Sequence, residues 1–192
     1  WILYKIVSIR LLKLLKVFEL IMLKVEVRHI SWDLNKSFNI SRGSKKTAET
    51  IEVKIEDGQF CGYGECVPYN RYKETIESVS NEIDSIKGKI EDCIIDTSNL
   101  SNFIKSGAAR NAIDCALWDL NCKKNNSTIW ELMKIEKPHQ LPGSYTVVLD
   151  EPEKMLEDVS KHKEFPTIKL KVNADNLEKI LTKTRDLIPN QK

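Results

Sequence analysis

Lys169 and Lys171 are the residues whose type and spacing point most directly to chemistry. They alternate with Ile168, Leu170 and Val172, a pattern typical of a β-strand, in which successive side chains point to opposite faces. A strand would place both ammonium groups on one face, about 7 Å apart. Their repulsion, on the order of 2 kcal/mol at an effective dielectric constant of about 20, favours the loss of one proton and therefore a lysine base. This repulsion alone does not lower the pKa of a lysine to near neutrality, so burial or a nearby metal cation would have to lower it further.

The same two lysines also fit an amphipathic strand with both ammonium groups in water. For a lysine pair considered alone, that interpretation is the more common one. The surrounding sequence therefore has to decide between a solvated strand and a catalytic one.

Two other stretches carry candidate binding residues. Residues 41–46, SRGSKK, predict a glycine-containing loop whose three cations could close over a carboxylate, although a solvated surface loop is commoner. Residues 62–72, GYGECVPYNRY, are too irregular for regular structure and too aromatic for an ordinary linker. Glu65 in this stretch could act as a metal ligand or an acid, but a structural carboxylate is favoured. Cys61 and Cys66 are predicted to be buried or inert thiols.

Composition bounds the class of protein. The chain has 192 residues, of which 41% are hydrophobic, enough for one large domain or two small ones. It carries 30 basic and 28 acidic residues; four of the bases and one acid lie in the first 21 residues, which leaves 26 bases against 27 acids. This balance gives no reason to expect a nucleic-acid partner. Five cysteines without a C-x-x-C pair predict reduced thiols, neither a disulfide framework nor a zinc site, and a cytoplasmic protein.

Residues 1–21 are rich in leucine and isoleucine, but charges or Ser8 interrupt every apolar run. No run reaches the length of a membrane span or a signal sequence, so neither is predicted. An amphipathic helix at a membrane surface is one interpretation. The favoured one is a non-native upstream extension, because the chain starts at Trp1 and Met22 stands just before clear domain sequence.

Residues 22–137 have the pattern of an α+β domain. Alternating apolar and polar residues predict an antiparallel meander of about three strands, with Asp57 and Gly58 as a two-residue hairpin turn. Apolar residues at helical spacing then predict a helix from about Ile76 and a second helix at residues 107–120, GAARNAIDCALWDL. Small residues in the second helix favour close packing against a neighbour.

Residues 138–192 have a different pattern. Residues 144–148 and 167–172 read as strands, and residues 151–162 and 176–187 read as helices. Strand and helix alternating at about 22 residues predict a parallel β/α structure, as in a (β/α)₈ barrel. Functional side chains of such barrels lie at the carboxyl ends of the strands, where the lysine pair and, less clearly, Tyr145 and Thr146 would be.

Taken together these stretches resemble the enolase superfamily. The shared features are the loop SRGS, the block GYGECVPYNRYKET, the helix GAARNAIDCALWDL, the segment SYTVVLDEPEKM and the strand TIKLKV, all in matching order. The chain is most similar to the muconate-lactonizing subgroup and, within it, to dipeptide epimerases of the L-Ala-D/L-Glu type. The resemblance covers residues 22–192 and implies an α+β capping domain followed by the first two β/α units of a truncated (β/α)₈ TIM barrel.

The resemblance also implies roles for individual residues. Lys171 would remove the α-proton of the C-terminal residue of a dipeptide, giving an enolate stabilised by Mg²⁺, and Lys169 would assist it. Further residues would bind the substrate: Arg42, Lys45, Tyr69, Tyr72 and Thr146. The resemblance further implies a small-molecule partner, a homo-oligomer without nucleic acid or membrane, and a role in recycling cell-wall peptides.

The sequence departs from the family in one large respect. In these enzymes the carboxylate metal ligands and a second lysine come from the third to sixth barrel strands, whereas this chain stops at Lys192. The expectation is therefore an N-terminal part of an epimerase that is inactive alone and holds no metal itself. Two alternatives remain open: another enzyme of the subgroup, such as o-succinylbenzoate synthase or muconate cycloisomerase, or a non-catalytic α+β module.

Overall fold

A computed structural model describes residues 22–40 and 43–191, so the interpretation of residues 1–21 lies outside the described part of the chain. The contacts divide the described residues into two compact units. The first contains residues 22–32 and 49–137, and the second contains residues 33–40, 43–48 and 138–191. No helix in the described ranges is long and apolar enough to cross a membrane.

A three-stranded sheet forms one layer of the first unit. Its strands are β1 (Lys24–Ile40), β2 (Gly43–Glu56) and β3 (Cys61–Cys66), in the order β1-β2-β3, and β2 pairs antiparallel with β3. The distal parts of β1 and β2 belong to the second unit. The predicted alternation is confirmed, because Ile51, Val53 and Ile55 are fully buried whereas Glu52, Lys54 and Glu56 between and after them are not.

The hairpin between β2 and β3 turns one residue later than predicted. The Asp57 amide donates to the Phe60 carbonyl at 3.1 Å, so Gly58 and Gln59 are the two residues between the paired ends. Asp57 precedes the turn because its carboxylate accepts the amides of Gln59 and Phe60, as in other aspartate-initiated turns. Burial raises the pKa of Asp57, but an ion pair with Lys124 and these backbone amides lower it to about 2.

Helices cover one face of this sheet. Helix α1 (Ile76–Glu91) begins with a capping box between Thr75 and Ser78 and buries Val79, Ile83, Ile86 and Ile90. Helix α2 (Ala108–Lys124) continues one turn beyond the predicted end at Leu120, and a short α3 (Ile129–Leu132) follows it. The predicted capping domain, an antiparallel meander with helices, is therefore confirmed.

Strand β3 and helix α2 approach unusually closely. A Cβ atom on Gly64 would lie 1.9 Å from the carbonyl oxygen of Ala112, and one on Gly62 would lie 2.1 Å from that of Ala116. Both distances are far below any real Cβ contact. The two glycines of β3 are therefore required for this close approach to the backbone of α2.

The second unit contains a parallel β/α arrangement. Strand β4 (Ser144–Val147) leads through α4 (Pro152–Lys161) to strand β5 (Thr167–Leu170), which α5 (Leu177–Leu187) follows. The two strands pair in parallel, as predicted, although β4 ends one residue and β5 two residues earlier than expected. Side chains from both strands and both helices form its core: Val147, Met155, Val159, Ile168, Ile180 and Ile188.

We expect the substitution Gly64→Ala to lower the free energy of unfolding of the 192-residue chain by about 1–3 kcal/mol, because the added methyl group must displace the backbone of α2. Gly88 provides a matched control. It lies in α1 with no atom within 4 Å of the position that a methyl group would occupy, so Gly88→Ala should raise stability by roughly 0.5–1 kcal/mol. Urea denaturation of both variants measures the difference, and equal stability of Gly64→Ala and the parent chain would contradict the packing described.

Candidate active site

The pairing of β4 with β5 determines which side chains share a face. Thr146 lies opposite Lys169, and Val147 lies opposite Leu170. The ladder continues past the end of β5, since the Lys171 amide donates to the Val147 carbonyl at 2.9 Å. Residues 167–171 therefore keep the strand's two-residue period through both lysines.

One face of this strand pair is apolar. Ile168 is buried in the core of the second unit, and Leu170 and Val172 pack against that core from the same side. Lys169 and Lys171 lie between these residues, so both lysines point to the other face together with Thr146. Lys169 is exposed and Lys171 half-buried, and no carboxylate of the described residues forms an ion pair with either ammonium group.

A reciprocal asparagine turn ends the lysine-bearing segment. The Asn173 amide donates to the side-chain oxygen of Asn176 at 3.1 Å, and the Asn176 amide donates to that of Asn173 at 3.1 Å. This turn follows Val172 directly, leads to the start of α5 at Leu177 and fixes the backbone next to Lys171. Its sequence signal is the N-x-x-N spacing, which periodicity alone does not bring out.

Tyr145 is not on the lysine face. It pairs with Ile168, and its ring stacks on His162 with centroids 3.6 Å apart. The prediction that it shares a functional position with Thr146 is wrong, because adjacent strand residues point in opposite directions. Of the two tested residues of β4, Thr146 is the one that lies on the lysine face.

The predicted loop that carries Tyr69 and Tyr72, here called the tyrosine loop, belongs to the first unit and contains a turn of 3-10 helix. Residues Asn70–Tyr72 form a 3-10 turn, and the rings of Tyr69 and Tyr72 lie 5.8 Å apart. Glu74 holds the loop, because its carboxylate accepts the Tyr69 amide at 3.2 Å and the Ala108 amide at the start of α2 at 2.8 Å. Both tyrosines line a cavity of about 650 Å³.

Residues 41–46, the cationic segment, are not a loop throughout. Arg42 lies outside the described residues, whereas Lys45 and Lys46 are exposed residues of β2, which begins at Gly43. The prediction of a loop at residues 41–46 is therefore wrong for residues 43–46. A strand forms there because β2 continues its pairing with β1 to this point.

The remaining candidates have structural roles. Glu65 accepts the indole N–H of Trp32 at 2.9 Å, which is a contact of the structural kind favoured above. Burial raises the pKa of the Cys66 thiol to about 11, so it is unreactive near neutrality. Among the described residues no group of three His, Cys, Asp or Glu side chains could hold a metal ion.

Comparison with known proteins decides the family. Residues 22–134 match the N-terminal domain of the mandelate racemase / muconate lactonizing enzyme family. The chain belongs to this family. The resemblance to the enolase superfamily and its dipeptide epimerases is thereby confirmed.

Among its relatives in this family is the L-Ala-D/L-Glu epimerase of Escherichia coli (strain K12), which is 36% identical over 152 residues, covering 79% of this chain and 47% of that protein. A crystal structure from Agrobacterium tumefaciens, of an enolase family member with homology to dipeptide epimerases, contains sodium and L-Ala-L-Glu. It has a TM-score of 0.81 at 34% identity and covers 88% of this chain and 52% of that one. A dipeptide epimerase from Cytophaga hutchinsonii, complexed with Mg and D-Ala-L-Val, shares the fold at a TM-score of 0.74 and 24% identity. It covers 86% of this chain and 49% of that one.

This chain spans about half the length of the relatives it matches. The curated relatives are epimerases and racemases, which are isomerases. The family match at residues 22–134 includes the tyrosine loop.

We expect Glu74→Gln to lower the free energy of unfolding by about 1–2 kcal/mol and to speed tryptic cleavage after Arg71 and Lys73. The neutral amide can accept only through its single oxygen, so one of the two backbone amides loses its partner. Glu82→Gln, an exposed change on α1, is the control and should leave cleavage unchanged. Equal cleavage rates for Glu74→Gln and the parent chain would show that Glu74 does not hold the loop.

Proposed function

We propose that the protein containing this chain is a dipeptide epimerase that inverts the α-carbon of the C-terminal residue of L-Ala-D/L-Glu-type dipeptides by 1,1-proton transfer. The observation that carries the proposal is the shared face of Thr146, Lys169 and Lys171, opposite the core of the second unit. The family supports it, and so do the name of one relative, an L-Ala-D/L-Glu epimerase, and the L-Ala-L-Glu bound in the Agrobacterium tumefaciens structure.

Lys171 is the proposed base. Its neutral amine would accept the α-proton of the substrate, and the electron pair of the broken C–H bond would pass into the adjacent carboxylate as an enolate. Delivery of a proton to the opposite side of that carbon would give the other epimer. Lys171 suits the role because it is half-buried and because the hydrogen bond from its amide to Val147 fixes its backbone.

Lys169 and Thr146 would support this step. The cation of Lys169, two residues away on the same face, attracts the negative charge that develops on the substrate carboxylate. Thr146 is the direct cross-strand neighbour of Lys169 and offers a hydroxyl to the same substrate.

Recognition of the acidic side chain is proposed for the cationic segment, with Arg42 or Lys45 binding the glutamate carboxylate. Tyr69 and Tyr72 would supply apolar contact and hydroxyl groups. Support comes from the exposure of Lys45 at the distal part of β2 and from the cavity that the two tyrosines line.

The resemblance implies a divalent metal, Mg²⁺, but the described residues include no group of three His, Cys, Asp or Glu side chains able to hold it. None of the described residues is therefore assigned as a metal ligand, and the roles proposed for them are substrate binding, orientation and proton removal.

The base assignment predicts that Lys171→Ala lowers α-proton exchange of at least one epimer of L-Ala-Glu by roughly 10²–10⁴-fold, the usual contribution of a positioned base. The measurement is loss of the α-proton NMR signal in D₂O, made on the protein encoded by the complete reading frame that contains this chain. Lys171→Arg should be equally impaired, because a guanidinium keeps the charge but cannot act as a base near neutrality.

Lys163 provides the matched control for this experiment. It is an exposed lysine of the same unit, and Lys163→Ala should exchange both epimers at the parent rate. Parent-like exchange on both epimers by Lys171→Ala would rule out the proposed role.

The 192-residue chain alone is expected to show no detectable epimerisation of L-Ala-L-Glu, because it spans about half the length of the epimerases it matches. Chiral separation of the products, with the complete protein as a positive control, measures this. Turnover by the isolated chain would overturn the expectation and assign the whole reaction to its own residues.

A further inference from the structure

Within the second unit, a cluster of polar side chains attaches the distal part of β1 to β4 and α4. The Lys36 ammonium donates to the Asp158 carboxylate at 2.8 Å and to the Tyr145 hydroxyl at 3.3 Å. The Tyr145 hydroxyl donates to the other carboxylate oxygen of Asp158 at 3.1 Å. Three side chains from β1, β4 and α4 therefore form one closed network.

Asp158 is the centre of this network. It is only 19% exposed, far less than an ordinary surface carboxylate, and it lies one turn before His162, whose Nδ1 donates to the Asp158 carbonyl at 2.8 Å. His162 in turn stacks on Tyr145. Burial raises the pKa of Asp158, but Lys36 and Tyr145 hold it below its usual range, so the carboxylate stays charged near neutrality.

A backbone contact extends the attachment toward the end of the hairpin. The Leu149 amide, just after β4, donates to the Asn39 carbonyl at 3.1 Å. Asn39 also accepts the Ser44 hydroxyl at 2.6 Å through its side-chain oxygen, which joins β1 to the first residues of β2. The network at Lys36 and this backbone bond therefore hold the part of β2 that carries Lys45.

We propose that Lys36 and Asp158 are positioning residues that hold the distal β1–β2 hairpin on β4 and α4 and so set the affinity for the substrate's acidic side chain. The proposal rests on the function proposed above, in which Lys45 belongs to the substrate-binding segment. Neither residue belongs to the proton-transfer face, because Tyr145, which both contact, points away from Lys169. Their effect should therefore fall on binding and not on the chemical step.

The Leu149 amide offers a direct readout of the attachment. In the complete protein, Lys36→Met and Asp158→Asn should each speed hydrogen exchange of this amide roughly tenfold, the change that about 1.4 kcal/mol produces. The double variant Lys36→Asp with Asp158→Lys should restore most of the protection. Glu157→Gln is the control, since Glu157 forms an exposed ion pair with Lys161 on the same helix, and its loss should leave Leu149 exchange unchanged.

Kinetics with L-Ala-L-Glu test the effect on binding. The two single variants should raise KM about tenfold, with kcat within about twofold of the parent value. The charge-swapped variant should have a KM close to that of the parent. Unchanged Leu149 exchange in Lys36→Met would overturn the attachment, and faster exchange without a change in KM would overturn its role in binding. If the parent protein fails to exchange the substrate α-proton, the proposed function fails, while Leu149 exchange still tests the attachment.

Discussion

The parallel register of β4 and β5 is the constraint on which the candidate site depends. A strand has a side-chain period of two. Because Ile168 is buried against α4 and α5, Lys169 and Lys171 must point to the opposite face. A shift of one residue would bury two ammonium groups among apolar side chains, which costs far more than the pairing gains. The hydrophobic core and the arrangement of the lysines thus have the same physical cause.

The first unit depends on an equally strict packing rule. Gly62 and Gly64 allow β3 to approach α2 so closely that no larger side chain fits between them. The same helix begins at Ala108, whose amide is bound by Glu74, and Glu74 also holds the amide of Tyr69. Close strand-helix packing and a single carboxylate therefore give the tyrosine loop a defined conformation on an otherwise regular sheet and helix layer.

Most of the fold could be predicted from periodicity, because the alternation on β2 and β5 and the helical spacing in α1 are local properties of the chain. Errors arose where a tertiary contact or a one-residue shift decided the outcome. Tyr145 belongs to the helix-facing side because it pairs with Ile168, and Lys45 is in a strand because β2 continues beside β1. The contact between Lys36 and Asp158 joins residues 122 positions apart, and no local pattern in the sequence indicates it.

The central claim is that the lysine face of β5 is the face that meets the substrate. Chemical labelling of lysines by reductive methylation, followed by mass spectrometry of the complete protein, tests it most directly. Saturating L-Ala-L-Glu should slow the labelling of Lys169 and Lys171 severalfold and leave that of the exposed Lys163 unchanged. Equal labelling of all three lysines with and without the dipeptide would contradict the account.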